Sequence, residues 1–179
     1  HPAPLYSPPL GERFGRHEKP LQNPVWVHAV SLGEMRSATP LIRALLLQGE
    51  TVLTTHFTPA GRREAQREFA AEIASGQVQS VWIPFEFSFA YRRFLSHFAP
   101  KYGLVMEIEI WPRMIMACRK SGLPLFMCNA QYPKKSFDKD TAGLGLRAAL
   151  LGGFAGGFVK SEGQRERFAK VGMPNIHVT

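Results

Sequence analysis

The sequence predicts an α/β fold: a Rossmann-like parallel sheet with helices on both faces. Five short apolar or β-branched runs alternate with segments of helical period, the pattern of right-handed βαβ units. Each run is bounded by Gly, Pro or polar residues. The length, 179 residues with 45% hydrophobic and 20% charged side chains, suits one domain and excludes wholesale disorder. No apolar run approaches the ~20 residues of a membrane-spanning helix.

Residues 1–24 hold six prolines and read as an irregular lead-in, because proline fixes φ and lacks an N–H. The predicted domain covers 25–179. Its strands are Val25–Val30, Thr51–Thr55, Val78–Ile83, Gly103–Glu107 and Pro124–Cys128. Ser37–Gln48 places Leu41, Ile42, Leu45 and Leu46 at helical spacing. Ala60–Ala74 is rich in Ala, Glu and Arg, all good helix formers. Phe87–Phe98 and Trp111–Ser121 carry the next helices, and Gly163–Val171 ends on Gly172 as a C-cap. Ala142–Gly157 reads as a helix with a glycine-rich exit.

The chain carries 22 basic and 14 acidic side chains, a formal +8. Residues 111–179 hold 11 basic against 4 acidic, so nearly all the excess lies there. Such a skew suits an anionic partner, or simply a solvated basic face. Nucleic acid is not expected, since the aromatic and basic motifs of its readers are missing. Cys118 and Cys128 lack metal or disulfide spacing and read as buried small hydrophobes. The common nucleotide fingerprints, Gly-x-Gly-x-x-Gly and Gly-x4-Gly-Lys-Ser/Thr, do not occur. No cofactor is expected.

In open parallel sheets, ligands bind beyond the carboxyl ends of the strands. The residues there are Ser31-Leu32-Gly33-Glu34, His56–Gly61, Pro84-Phe85-Glu86, Glu107–Pro112 and Asn129-Ala130-Gln131. Gly33 permits a tight turn or close ligand approach, and the following helix offers N–H groups to an anion. Glu34 has two readings: an acid that caps the helix, or a general base. Two-residue spacing on an extended chain would put Glu107 and Glu109 on one face. In that apolar setting they are either solvated and salt-bridged or part of a site. Without a third acid or histidine nearby, no metal is expected. Thr54, Thr55, Thr58 and Gly61 form a hydroxyl-rich turn, explained by capping or by substrate contact. His28 reads as a core histidine. Phe85, Phe87 and Phe89 are core, or an apolar acceptor surface.

Trp26-Val-His-Ala-Val-Ser31-Leu-Gly33-Glu34 resembles the opening motif of the 3-deoxy-D-manno-octulosonic acid (Kdo) transferases of lipopolysaccharide synthesis. Further segments match in order: Glu12-Arg13-Phe14-Gly15, Thr54–Gly61, Val81–Pro84, Arg93-Phe94-Leu95 with Pro100, Glu107-Ile-Glu109-Ile-Trp111-Pro112, and Asn129-Ala130 with Ser136. The resemblance implies the N-terminal, acceptor-side half of a GT-B glycosyltransferase. A membrane anchor would precede it and a donor domain would follow, and the piece alone would be soluble and inactive. The implied reaction moves Kdo from CMP-Kdo to a hydroxyl of a lipid A precursor, inverting and metal-independent, at the cytoplasmic face of the bacterial inner membrane. The resemblance makes Glu34 the base. Ser31 and Gly33 would shape the loop, and Thr58, Gly61, Glu107, Glu109 and Asn129 would organise the substrate site. Arg36, with Arg62 and Arg63, would meet acceptor phosphates. CMP-Kdo would bind mainly through the second domain. Arg113 stands where the family usually has Asn, and Gln131 replaces an Arg, with Lys134 close by. The competing reading is a non-catalytic module for anionic glycolipid or membrane surface.

Overall fold

The computed structural model describes residues 10–143 and 145–179. The lead-in prolines Pro2, Pro4, Pro8 and Pro9, and Leu144 within the glycine-rich stretch, lie outside them. Among the described residues, seven strands form one sheet, ordered β3-β2-β1-β4-β5-β6-β7, with every pairing parallel. The strands are β1 (Val25–His28), β2 (Val52–His56), β3 (Val78–Trp82), β4 (Gly103–Met106), β5 (Leu125–Ala130), β6 (Gly156–Val159) and β7 (Ile176–Val178). The helices are α1 (Leu10–Arg13), α2 (Leu32–Leu47), α3 (Pro59–Glu68), α4 (Ala70–Ala74), α5 (Ser88–Phe98), α6 (Pro112–Ser121), α7 (Lys134–Ala142), α8 (Leu146–Leu151) and α9 (Glu162–Lys170).

The central strands are buried on both faces, so they read as continuous apolar runs. Side chains still alternate between two cores. Val25, Val27, Leu104 and Met106 pack under Met35, Ile42 and Ala65 of α2 and α3. Trp26, Leu53, Val105 and Met127 pack under Phe94 and Phe98 of α5, Ile115 of α6 and Phe168 of α9. No described helix is long and apolar enough to cross a membrane.

The structure corrects several expectations. Helix α2 starts at Leu32, not Ser37, because Ser31 caps it. The helix expected over Ala60–Ala74 is broken at Phe69 (φ −116°), whose ring is fully buried. Helix α7 was not foreseen. The glycine-rich exit contains strand β6. A Cβ on Gly156 would lie 2.7 Å from Asn175 O, and one on Gly157 2.8 Å from Met173 Sδ. Close packing, not a loose loop, is why those residues are glycines.

The lead-in is not wholly irregular. Glu12 accepts the Trp82 N–H (2.8 Å) and a bond from Arg62 Nη2 (3.2 Å). Arg13 is only 5% exposed; it donates to Ile83 O (2.9 Å) and Phe57 O, and lies over the Trp82 ring (4.7 Å). Burial, with Arg62 close by, lowers the pKa of this guanidinium. Gly15 has φ +75°, and a Cβ there would fall 2.4 Å from Ala90 O. The segment is thereby pinned across the carboxyl ends of β2 and β3.

Candidate active site

Strand order reverses between β1 and β4, and in such sheets the crevice beyond that point takes the ligand. One wall is the loop from β1 to α2. Ser31 is the N-cap of α2: its Oγ accepts the Glu34 N–H (3.4 Å) and donates to Glu34 Oε1 (2.9 Å). Glu34 Oε2 accepts the Val30 N–H (2.8 Å). This is a capping box with the acid reaching back one residue further than usual. Both readings of Glu34 therefore meet in one side chain: it caps the helix, and it stands at the crevice. It is 7% exposed. Burial raises its pKa, the bonds from Val30 and Ser31 oppose the rise, and the charges of Glu109 and Glu107 add to it.

Thr58 and Gly61 support that loop. Thr58 Oγ1 donates to Val30 O (3.1 Å) and accepts the Gly61 N–H (3.2 Å), capping α3. A Cβ on Gly61 would lie 3.0 Å from both Val30 O and the Ser31 carbonyl carbon. Only glycine lets α3 approach the loop this closely. His56, placed by the sequence at the end of the second strand but given no role, bonds Ala29 O through Nδ1 (2.8 Å) and Thr54 Oγ1 through Nε2 (3.0 Å). A carbonyl only accepts, so Nδ1 carries the proton and Thr54 donates to Nε2. The ring is neutral, in keeping with a pKa pushed down to about 4 by burial. Gly33 is helical rather than in a tight turn, and exposed. A Cβ there would touch only Ser31 Oγ, at 4.0 Å.

The other wall follows β4. The strand ends at Met106, and Glu107 has φ +58°, so the extended-chain argument for Glu107 and Glu109 fails. Backbone of this kind costs a non-glycine residue of order 1–3 kcal/mol and clusters at functional sites. Asn129, one strand away, has φ +54° at a bulge in β5. It lines a groove on the α2 face of the sheet with Ser37, Met106 and Phe158. Glu109 Oε2 accepts the Trp111 indole N–H (2.7 Å), and that indole sits against His28 (5.7 Å) and Phe57 (5.4 Å). Burial raises the Glu109 pKa. Glu86 fixes the start of α6 by accepting the Arg113 (2.8 Å) and Met114 (3.3 Å) N–H groups. His28, in contact with Thr55 Oγ1 (2.9 Å), is held to a pKa of about 3 by burial.

The arginines fare differently. Arg36 pairs with Glu64 of α3 (3.0 Å) while staying largely exposed. Arg62 is spent on Glu12 and Ser80 O and lies over Trp82 (5.0 Å), so it is a structural cation. Among the described residues, no group of three or more His, Cys, Asp or Glu is placed to hold a metal ion. The structure thus gathers Ser31, Glu34, Thr58 and Gly61 at one wall, with Glu107 and Glu109 opposite. Arg36 is turned toward α3.

Comparison with known proteins follows the same lines. The family described as 3-deoxy-D-manno-octulosonic-acid transferase (kdotransferase) matches residues 9–179. The 3-deoxy-D-manno-octulosonic acid transferase of Bordetella pertussis is 47% identical over 150 residues, 83% of this chain and 35% of the relative. The Haemophilus influenzae enzyme of the same name is 30% identical over 139 residues, 75% of this chain and 31% of the relative. A probable mitochondrial one from Arabidopsis thaliana is 35% identical over 137 residues, 72% of this chain and 28% of the relative. The chain therefore spans about a third of the length of these relatives. On this match and its α/β sheet, the chain belongs to the Kdo transferases, a family of glycosyltransferases.

Proposed function

We propose that this domain is the acceptor-side half of a GT-B enzyme that moves Kdo from CMP-Kdo to a hydroxyl of a lipid A precursor, with inversion and without a metal. The observation that carries the reading is Glu34: a buried carboxylate of raised pKa, fixed at the switch point by two short hydrogen bonds. Each oxygen keeps a lone pair beyond the bond it accepts. In the step, the acceptor oxygen attacks the anomeric carbon while the bond to the CMP phosphate breaks. CMP leaves with the electron pair, and Glu34 takes the acceptor's proton. A base more basic than an ordinary carboxylate suits that transfer. Glu109, held by Trp111, faces the same crevice and would orient the sugar. CMP-Kdo would bind mainly through a second domain.

An apolar patch supports a lipid acceptor and a membrane surface, at the cytoplasmic face of the inner membrane. Phe14, Phe87 and Phe89 stack with centroids 5.6–6.3 Å apart, and Phe87 and Phe89 are 48% and 38% exposed. Exposed aromatics clustered in this way mark contact surfaces. The test is transfer from CMP-Kdo to a lipid A precursor by an enzyme carrying this domain, with and without a chelator. Inverted product that is insensitive to the chelator is expected. Retained configuration, or loss of turnover with the chelator, overturns the mechanism. Glycolipid binding without any turnover would favour the non-catalytic module instead.

A further inference from the structure

A second concavity lies away from the crevice. Helices α5 and α6 both run from the carboxyl end of the sheet to its amino end, and between them runs a groove of about 820 Å³. Its floor is apolar, with Leu95, Met116 and Leu123, and Met116 is 53% exposed. Its rim carries Arg92, Lys101 and Lys120, and no acidic side chain lines it among the described residues. Lys101 is paired with Glu50 (2.5 Å). Among the described residues Arg92 and Lys120 make no ion pair, whereas Arg36, Arg43, Arg62 and Arg147 are paired with carboxylates. Its end at the carboxyl side of the sheet opens at Ser88, the first residue of α5. Arg92 faces the groove, while its neighbour Arg93 lies over Phe89 (5.3 Å).

We propose that this groove binds an anionic membrane phospholipid, one acyl chain on the apolar floor and the phosphate between Arg92 and Lys120. The charge complementarity chooses the occupant. An uncharged amphipathic partner would leave both cations unanswered, and an anion without a tail would leave the floor wet. The site does not depend on the sugar chemistry, since none of its residues reaches Glu34 or Glu109.

The 179-residue chain is titrated with dodecyl phosphate below its micellar concentration, with inorganic phosphate and an uncharged dodecyl glycoside as controls. One saturable site for dodecyl phosphate is expected, with chemical-shift changes on α5 and α6. Arg92→Glu with Lys120→Glu should weaken binding about tenfold or more. Met116→Glu, an exposed change that leaves the core alone, should weaken it as well. Flotation with phosphatidylglycerol vesicles, but not phosphatidylcholine vesicles, should be lost in the same variants. Equal binding of inorganic phosphate, equal binding of the uncharged glycoside, or vesicle binding that survives Arg92→Glu with Lys120→Glu overturns the proposal. No arm uses CMP-Kdo, so failure here leaves the transferase reading standing, and the reverse.

Discussion

Glu34→Gln separates the two tasks of that side chain. The amide oxygen of a glutamine can accept the Val30 N–H that Glu34 accepts at 2.8 Å. Its NH₂ can donate to Ser31 Oγ, whose hydroxyl rotates to accept instead of donating. Both bonds survive, so the cap survives. The sign of the stability change follows from the raised pKa of Glu34. A carboxyl raised in the fold contributes stability that is complete below its unfolded value and lost as pH rises through its folded value. At pH 7 the glutamine escapes that loss. Glu34→Gln should therefore fold at least as stably as the parent at neutral pH. Glu34→Ala leaves the Val30 N–H without its acceptor and should cost about 1–2 kcal/mol. Urea denaturation of the 179-residue chain measures both. In an enzyme carrying this domain, either change should lower the transfer rate by about 10²–10⁴. The parent's rate should also fall on acidification at a pH above the ordinary carboxylate range. Near-normal turnover of Glu34→Gln would refute the base. A loss of several kcal/mol in that variant would refute the hydrogen-bond account of the cap.

Gly61→Ala gains about 1 kcal/mol of helix propensity but forces a methyl against Val30 O and Ser31 at 3.0 Å, costing about 1–3 kcal/mol. A net loss of about 1 kcal/mol by urea denaturation is expected, and a gain would show that the contact yields freely. Acid should unfold the chain early. His28 and His56 have folded values near 3 and 4, below the ordinary 6.5, so their contribution is present above 6.5 and lost as pH falls toward 4. At pH 5 each should cost about 2 kcal/mol; unchanged stability between pH 7 and pH 5 would contradict neutral buried rings. Arg13→Lys keeps the charge but cannot span both Ile83 O and Phe57 O. It should lower stability by about 1–2 kcal/mol by thermal unfolding, and an unchanged midpoint would mean that the fork is not what holds the lead-in.

Much of the fold was legible because its signals are local. Apolar runs and helical spacing located five strands and five helical regions, since a strand buried on both faces must be apolar throughout. The carboxyl-end rule then puts Ser31, Gly33, Glu34, Glu107, Glu109 and Asn129 among the candidates from the sequence alone. Ser31 and Glu34 stand at the spacing of a capping box, so the earlier start of α2 was also readable there. Strand β6 was hidden, because its two glycines answer to Met173 and Asn175, and no run of neighbours in sequence reports that crowding.

What the sequence by itself determined is the alternation of elements, the candidates at the carboxyl ends of the strands and, through an ordered set of motifs, the family. What only the tertiary structure decided is how those residues are used. Strand order β3-β2-β1-β4 brings Glu34 across from Glu109, although 75 positions separate them in sequence. Positive φ at Glu107 undoes a spacing argument that held only for extended chain. Of the arginines considered for phosphate, Arg62 was consumed by Glu12 and a backbone carbonyl. Arg92, given no role by the sequence, makes no ion pair among the described residues and borders an apolar groove. The physical reason is common to all of these. Local periodicity fixes what a segment becomes, whereas charge pairing, burial and backbone strain depend on which distant segments are packed against it.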